Sequence, residues 1–175
     1  MRLVVCALSD LEGTLARTRP GGLVSLLAPG QALPAALPAA PAEAARLVLR
    51  CHDLAAPRSD LSAPDAAMVE ALLRFADGFA DEETLVLHCW FGISRSPAAA
   101  FILACALEAE TPETRLAAAL RAASPTATPN PLLIALADAR LGRGGRMSAA
   151  IRALGRGAEA ASGRPFDLVA RRTPK

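Results

Sequence analysis

Apolar residues fall into two kinds of pattern along this chain. Short, nearly unbroken runs occupy residues 3–8, 23–28, 46–52 and 84–88, each rich in Leu and Val and bounded by polar, Gly or Pro positions. Runs of this length and makeup predict buried strands. Longer stretches place their apolar residues on one side of a helix. Residues 64–80 do so through Ala67, Val69, Ala71, Leu72, Phe75, Ala76 and Phe79, with Pro64 suited to open the helix and Asp65 in its first turn. Further helices are predicted at 9–18, with Ser9 or Asp10 as cap, at 95–108, at 112–123 and 131–141, and at 146–161. Pro20-Gly21-Gly22 breaks the chain, and the prolines in residues 29–41 make that stretch a loop. Residues 54–63 read as a second loop and 162–175 as an irregular tail. Strands alternating with helices, then a run of helices, predict an α/β fold. Its centre is a mixed, mainly parallel sheet of about four or five strands, flanked by helices on both faces, with a helical C-terminal half.

Composition narrows this reading. The 175 residues suffice for one domain with a sizeable core, and the whole chain is read as that domain. With one Trp and no Tyr, the core must be built mainly from Leu, Val, Ile and Ala. A net charge of +2, without a basic stripe interleaved with aromatics, argues against a nucleic-acid partner. No apolar run is long enough to cross a bilayer, and the first residues lack the features of a secretory signal. A cytoplasmic location with no membrane partner is therefore expected. Cys6, Cys51, Cys89 and Cys105 are scattered without CxxC pairing, which points away from a metal site. A reducing compartment would keep them as thiols.

One segment carries chemistry: Val86-Leu87-His88-Cys89-Trp90-Phe91-Gly92-Ile93-Ser94-Arg95-Ser96. A buried strand delivers a cysteine, a short loop containing Gly92 follows, and a helix begins near Arg95. A tight loop running into a helix N-terminus turns its backbone N–H groups inward and makes an anion nest, to which the helix dipole adds positive potential. Arg95 adds a planar fork able to hold two phosphate oxygens. Gly92 lets the loop take unusual dihedrals and approach a ligand. Such electropositive nests favour the thiolate form of a cysteine at their base. Ser96 is placed to donate a hydrogen bond to that sulfur, and His88 to brace the loop.

His88-Cys89-x-x-Gly92-x-x-Arg95-Ser96 resembles the HCxxGxxR[ST] signature of the protein tyrosine phosphatase superfamily, and the chain looks like a small, bacterial-type member related to the dual-specificity phosphatases. The resemblance covers roughly residues 3–141. It implies Cys89 as nucleophile, the loop Trp90, Phe91, Gly92, Ile93, Ser94 and Arg95 as phosphate site, and no metal or organic cofactor. The implied substrate is a phosphorylated protein or a small phosphate monoester, with phosphotyrosine foremost. The family's general acid is an Asp upstream of the nucleophile, on a loop after a strand. Asp53, at the end of the third predicted strand, is preferred; Asp60, within the following loop, is the alternative. Either is equally read as a turn or solvated carboxylate. Thr128-Pro129-Asn130-Pro131 resembles the segment whose Asn helps hold the phosphate loop. Asn130 has that role or simply caps the helix that starts at Pro131.

Other features have open readings. Trp90 and Phe91 either contact substrate at the pocket wall or pack inward. Cys6 and Cys51 are read as buried packing, with capture of oxidised Cys89 as the alternative. Arg143, Arg146, Arg152, Arg156, Arg164, Arg171 and Arg172 suit either an acidic partner or a solvated helix face. Rival functions are a sulfurtransferase or arsenate-reductase-like cysteine enzyme, and a non-catalytic phosphate-binding module. A sulfurtransferase has no use for an acid, the arsenate-reductase pattern puts its loop near the N-terminus, and simple binding needs no thiol.

Overall fold

The computed structural model describes residues 1–34, 37, 40–42 and 45–173. Of the predicted 29–41 loop, residues 35, 36, 38 and 39 lie outside the described residues, as do residues 174 and 175 of the tail.

The strands are β1 (Arg2–Ala7), β2 (Gly22–Leu27), β3 (Arg46–Arg50), β4 (Thr84–Cys89) and β5 (Phe166–Val169), in the spatial order β3-β2-β4-β1-β5. The first four are parallel, and β5 runs antiparallel on the β1 edge. The helices are α1 (Leu11–Thr18), α2 (Ala66–Asp77), α3 (Arg95–Leu107), α4 (Glu113–Ala123), α5 (Pro131–Arg140) and α6 (Arg146–Leu154). This is the layered α/β arrangement that the apolar patterning predicts.

Continuous apolar runs are what a parallel sheet needs, because both of its faces are covered. Leu3, Val5, Val24, Leu26, Leu85 and Leu87 face a large core shared with α2 through α6. Val4, Cys6, Leu23 and Val86 face the other side, against Leu11 and Leu15 of α1 and Leu33 and Leu37 of the following loop. Helix α3 is buried nearly all round, Ala98 to Cys105 included, which accounts for its lack of a polar face. Among the described residues no helix is long and apolar enough to cross a membrane.

The C-terminal part departs from the sequence reading. Helix α6 stops at Leu154 instead of continuing to residue 161, because Gly155 takes φ +70° and ψ −176°, outside helical geometry. Nor is the tail irregular throughout, since Phe166–Val169 form β5. Phe166 and Leu168 point into the core while Asp167 and Val169 face out, as in an edge strand, and the N-terminal ammonium donates to Ala170 O at 2.6 Å. Asp65 lies one residue before α2 as its N-cap, accepting a hydrogen bond from Met68 N at 2.9 Å. Three of the C-terminal arginines make ion pairs within the chain, and of these only Arg143 is buried. Arg143 is buried against Glu113 at 3.2 Å, Arg146 reaches the same carboxylate at 3.1 Å, and Arg172 pairs with Asp81 at 3.1 Å and Asp77 at 3.2 Å.

Candidate active site

At the C-terminal end of β4 the chain turns through residues 90–94 and enters α3. The turn is fixed from outside by its carbonyls. Trp90 O accepts from Leu8 N at 3.2 Å, Phe91 O from Gly163 N at 2.8 Å, Ile93 O from Thr128 N at 2.8 Å and Ser94 O from Asn130 N at 3.2 Å. With these carbonyls tied to three other segments, the amides of residues 90–95 donate no backbone hydrogen bond among the described residues. Gly92 makes the turn possible. It has φ +68°, and a Cβ there would lie 2.7 Å from Ala7 N and 2.9 Å from Cys6 C. Both the dihedral and the packing exclude a side chain. The result is a row of unpaired amides at a helix N-terminus, a ready anion site.

Cys89 lies at the base of this turn, 2% exposed, and its Sγ accepts a hydrogen bond from Ser96 Oγ at 3.1 Å. Arg95, at the first position of α3, is 5% exposed. Its Nη1 donates to Cys51 O at 2.8 Å, which anchors one side of the guanidinium. Its Nε is buried without a hydrogen-bond partner. An unpartnered buried donor on a cation is costly unless something fills the space beside it.

Asp53 enters from the loop after β3. Its Oδ1 accepts from Ser94 Oγ and from Asn130 Nδ2, each at 2.7 Å, and its Oδ2 is 3.8 Å from Arg95 Nε. Asn130 does three things at once. Its Oδ1 caps α5 by accepting from Leu133 N at 2.9 Å, its Nδ2 holds Asp53 and Leu54 O, and its backbone N–H holds Ser94 O. Asp60 is elsewhere: it forms an exposed pair with Arg58 at 2.9 Å and does not line the Cys89 pocket.

That pocket, about 340 Å³, is bounded by Asp53, Cys89, Phe91, Ile93, Ser94, Arg95, Ala160 and Ala161. It opens into a groove of about 800 Å³ between residues 126–131 and 156–161. Phe91 is 54% exposed at the pocket wall, and Trp90 is 42% exposed and packs edge-on against it at 6.3 Å. Neither ring packs into the core. The 157–163 wall is absent from the sequence reading. It is locked down by Gly157 N to Thr128 Oγ1 at 3.0 Å and Ala158 N to Pro125 O at 2.9 Å. Gly163 passes so near the cradle that a Cβ would sit 2.6 Å from Gly92 O. The glycines after α6 were the available signal for this wall.

His88 is fully buried and its Nε2 lies 2.7 Å from Ser25 Oγ, tying β4 to β2 beneath the turn. Burial pushes its pKa down to about 4 from the usual 6.5. The unfolded chain therefore takes up this proton more readily than the fold does between those two values. Stability is present above pH 6.5 and is lost as pH falls toward 4. At pH 5 the loss from this group comes to about 2 kcal/mol. Denaturant titrations at pH 7 and pH 5 should show a smaller difference for His88→Gln than for the wild type; equal differences would contradict this.

Burial raises the thiol pKa of Cys6 to about 12, Cys51 to about 11 and Cys105 to about 12. Disulfide exchange requires the thiolate, so packing is the better reading of Cys6 and Cys51. Among the described residues no three His, Cys, Asp or Glu side chains come together as a metal site.

The fold is that of the protein tyrosine and dual-specificity phosphatases. The structure of the Cydia pomonella PTP-2 phosphatase matches with a TM-score of 0.60 and 17% identity, over 78% of this chain and 84% of that one. PTPMT1 matches at 0.58 and 16%, over 86% and 92%. Human DUSP28 matches at 0.56 and 21%, over 81% and 92%. The 86% coverage is more than residues 1–141 contain, so the likeness is not confined to that part of the chain. No protein-family model matches the sequence, and no curated protein does.

Proposed function

We propose that the protein is a cysteine-dependent phosphatase that hydrolyses phosphate monoesters through a cysteinyl-phosphate. Phosphotyrosine is the leading substrate, with phosphoserine and phosphothreonine beside it. The observation that carries the reading is the buried, unpartnered Nε of Arg95 beside a row of unbonded amides, with the Cys89 sulfur at their base. A tetrahedral oxyanion would satisfy all of these donors together.

In the first step the Cys89 thiolate attacks phosphorus in line with the ester oxygen. A P–S bond forms, the P–O bond breaks, and the departing oxygen takes the bond's electron pair and a proton from Asp53. The amides and Arg95 stabilise the equatorial oxygens throughout. In the second step water attacks phosphorus and gives a proton to Asp53, while the P–S electrons return to sulfur. Ser96 Oγ, at 3.1 Å, eases that return by donating to the sulfur. The absence of Lys from the loop ranks highly charged inositol phosphates lower as substrates. The hydrogen-bonded acid weighs against a sulfurtransferase, whose chemistry needs no proton donor for an alkoxide.

Two assays test the reading. Hydrolysis of p-nitrophenyl phosphate without sulfur transfer from thiosulfate is expected; the opposite pair of results would identify a sulfurtransferase, and inactivity in both a binding module. Among variants, Asp53→Ala should lower kcat by about 10²–10⁴-fold while leaving phosphate binding intact, whereas Asp60→Ala should stay near the wild-type rate. Full activity in Asp53→Ala with loss in Asp60→Ala would reverse the assignment of the acid.

A further inference from the structure

We propose that Ser94 and Asn130 are positioning residues for the general acid, together fixing which oxygen of Asp53 carries the proton given to the leaving group. The proposal rests on the reading of Asp53 as that acid. Oδ1 of Asp53 accepts two hydrogen bonds, from Ser94 Oγ and Asn130 Nδ2, both at 2.7 Å. These occupy both of its acceptor directions. Oδ2 accepts none among the described residues and lies 3.8 Å from Arg95 Nε. A proton on Oδ1 would displace one of two donors. A proton on Oδ2 displaces nothing and lies on the side of Arg95, where the phosphoryl group binds.

The Asn130 side chain and the Ser94 backbone are held in place independently of Asp53. The orientation of the Asn130 amide is fixed because its Oδ1 accepts from Leu133 N at 2.9 Å, which leaves Nδ2 to face Asp53 and Leu54 O. Ser94 occupies the N-cap position of α3, where a serine hydroxyl ordinarily accepts from a first-turn amide. Here it makes no capping bond and donates to Asp53 instead. The first amides of α3 stay free for an anion while the hydroxyl orients the acid. Asn130 N to Ser94 O, at 3.2 Å, closes the arrangement. Cradle, acid and the start of α5 thus form one hydrogen-bonded unit. As the P–O bond breaks, its electron pair goes to the leaving oxygen, which takes the Oδ2 proton. The resulting carboxylate charge forms beside Arg95. In the second step the attacking water returns a proton to Oδ2 as its oxygen bonds phosphorus and the P–S bond breaks.

The test compares kcat on dinitrophenyl phosphate, whose leaving group needs no proton, with kcat on phenyl phosphate, whose leaving group does. Wild type, Ser94→Ala, Ser94→Thr and Asn130→Ser would be measured; Asn130→Ser retains a capping oxygen for α5 but is too short to reach Asp53. Ser94→Ala and Asn130→Ser should each slow the phenyl ester at least about tenfold more than the dinitrophenyl ester. Ser94→Thr, which keeps the hydroxyl, should restore the wild-type ratio. The dinitrophenyl rate reports the folded, phosphate-binding site in every variant. Equal slowing on both esters, or no recovery in Ser94→Thr, overturns the positioning role. Wild-type inactivity on both esters, or a Cys89→Ser variant as fast as wild type, instead removes the phosphatase reading, and the proposal falls with it.

Discussion

Replacing Cys89 with serine is expected to lower kcat on p-nitrophenyl phosphate by about 10⁴–10⁶-fold. A serine hydroxyl is not ionised near neutral pH, and Asp53, which enters the first step as the acid, does not serve there as a base to activate it. Ser96 Oγ is a donor to this position at 3.1 Å, and the His88 ring is committed to Ser25 at 2.7 Å. The oxygen is smaller than sulfur, so the cradle should persist and orthovanadate or phosphate should still bind, as calorimetry can measure. A variant that turned over within tenfold of wild type would show that residue 89 is not the nucleophile.

Arg95→Lys is expected to lower kcat/KM by about 10²–10⁴-fold, with phosphate affinity falling alongside. On the proposed reading the guanidinium has two jobs on two edges. Nη1 holds Cys51 O at 2.8 Å, and the Nε edge is left over for the ligand. A single ammonium cannot fork between them. If it satisfies Cys51 O, the anion loses its planar clamp; if it turns to the anion, a buried carbonyl loses its donor. Parallel loss of turnover and of phosphate binding is therefore the expected signature. Unchanged phosphate affinity in a slow Arg95→Lys enzyme would contradict the clamp.

The cradle was legible in the sequence because it is local. Cys89, Gly92, Arg95 and Ser96 lie within one strand–turn–helix, so spacing alone places them on a common site. Pattern favoured Asp53, at a predicted strand end, but left Asp60 as the alternative. What distinguishes the two is long-range: Ser94 and Asn130 converge on Asp53, while Asp60 turns to Arg58. The role of Asn130 was posed as loop support or helix cap, and the structure has it making both kinds of contact while also holding the carboxylate.

The C-terminal wall was illegible for a different reason. Residues 157–161 are mostly Ala, and such a composition extends the helical pattern of α6 without interruption by a polar face. Their actual course is dictated by bonds of Gly157 and Ala158 to Thr128 and Pro125, and of the following Gly163 to Phe91, all far away in sequence. The glycines after α6, first of them Gly155, a residue suited to end a helix, marked the change locally. Strand β5 is four residues long, too short for its alternation to stand out before the edge it pairs with is known.

A crystal structure of the protein with orthovanadate tests the central claim most directly. The account predicts vanadium bonded to Cys89 Sγ, with equatorial oxygens on the amides of residues 90–95 and on the Nε edge of Arg95, and an apical oxygen facing Asp53. Vanadate bound away from Cys89, or a guanidinium turned out of the turn with the amides empty, would contradict it.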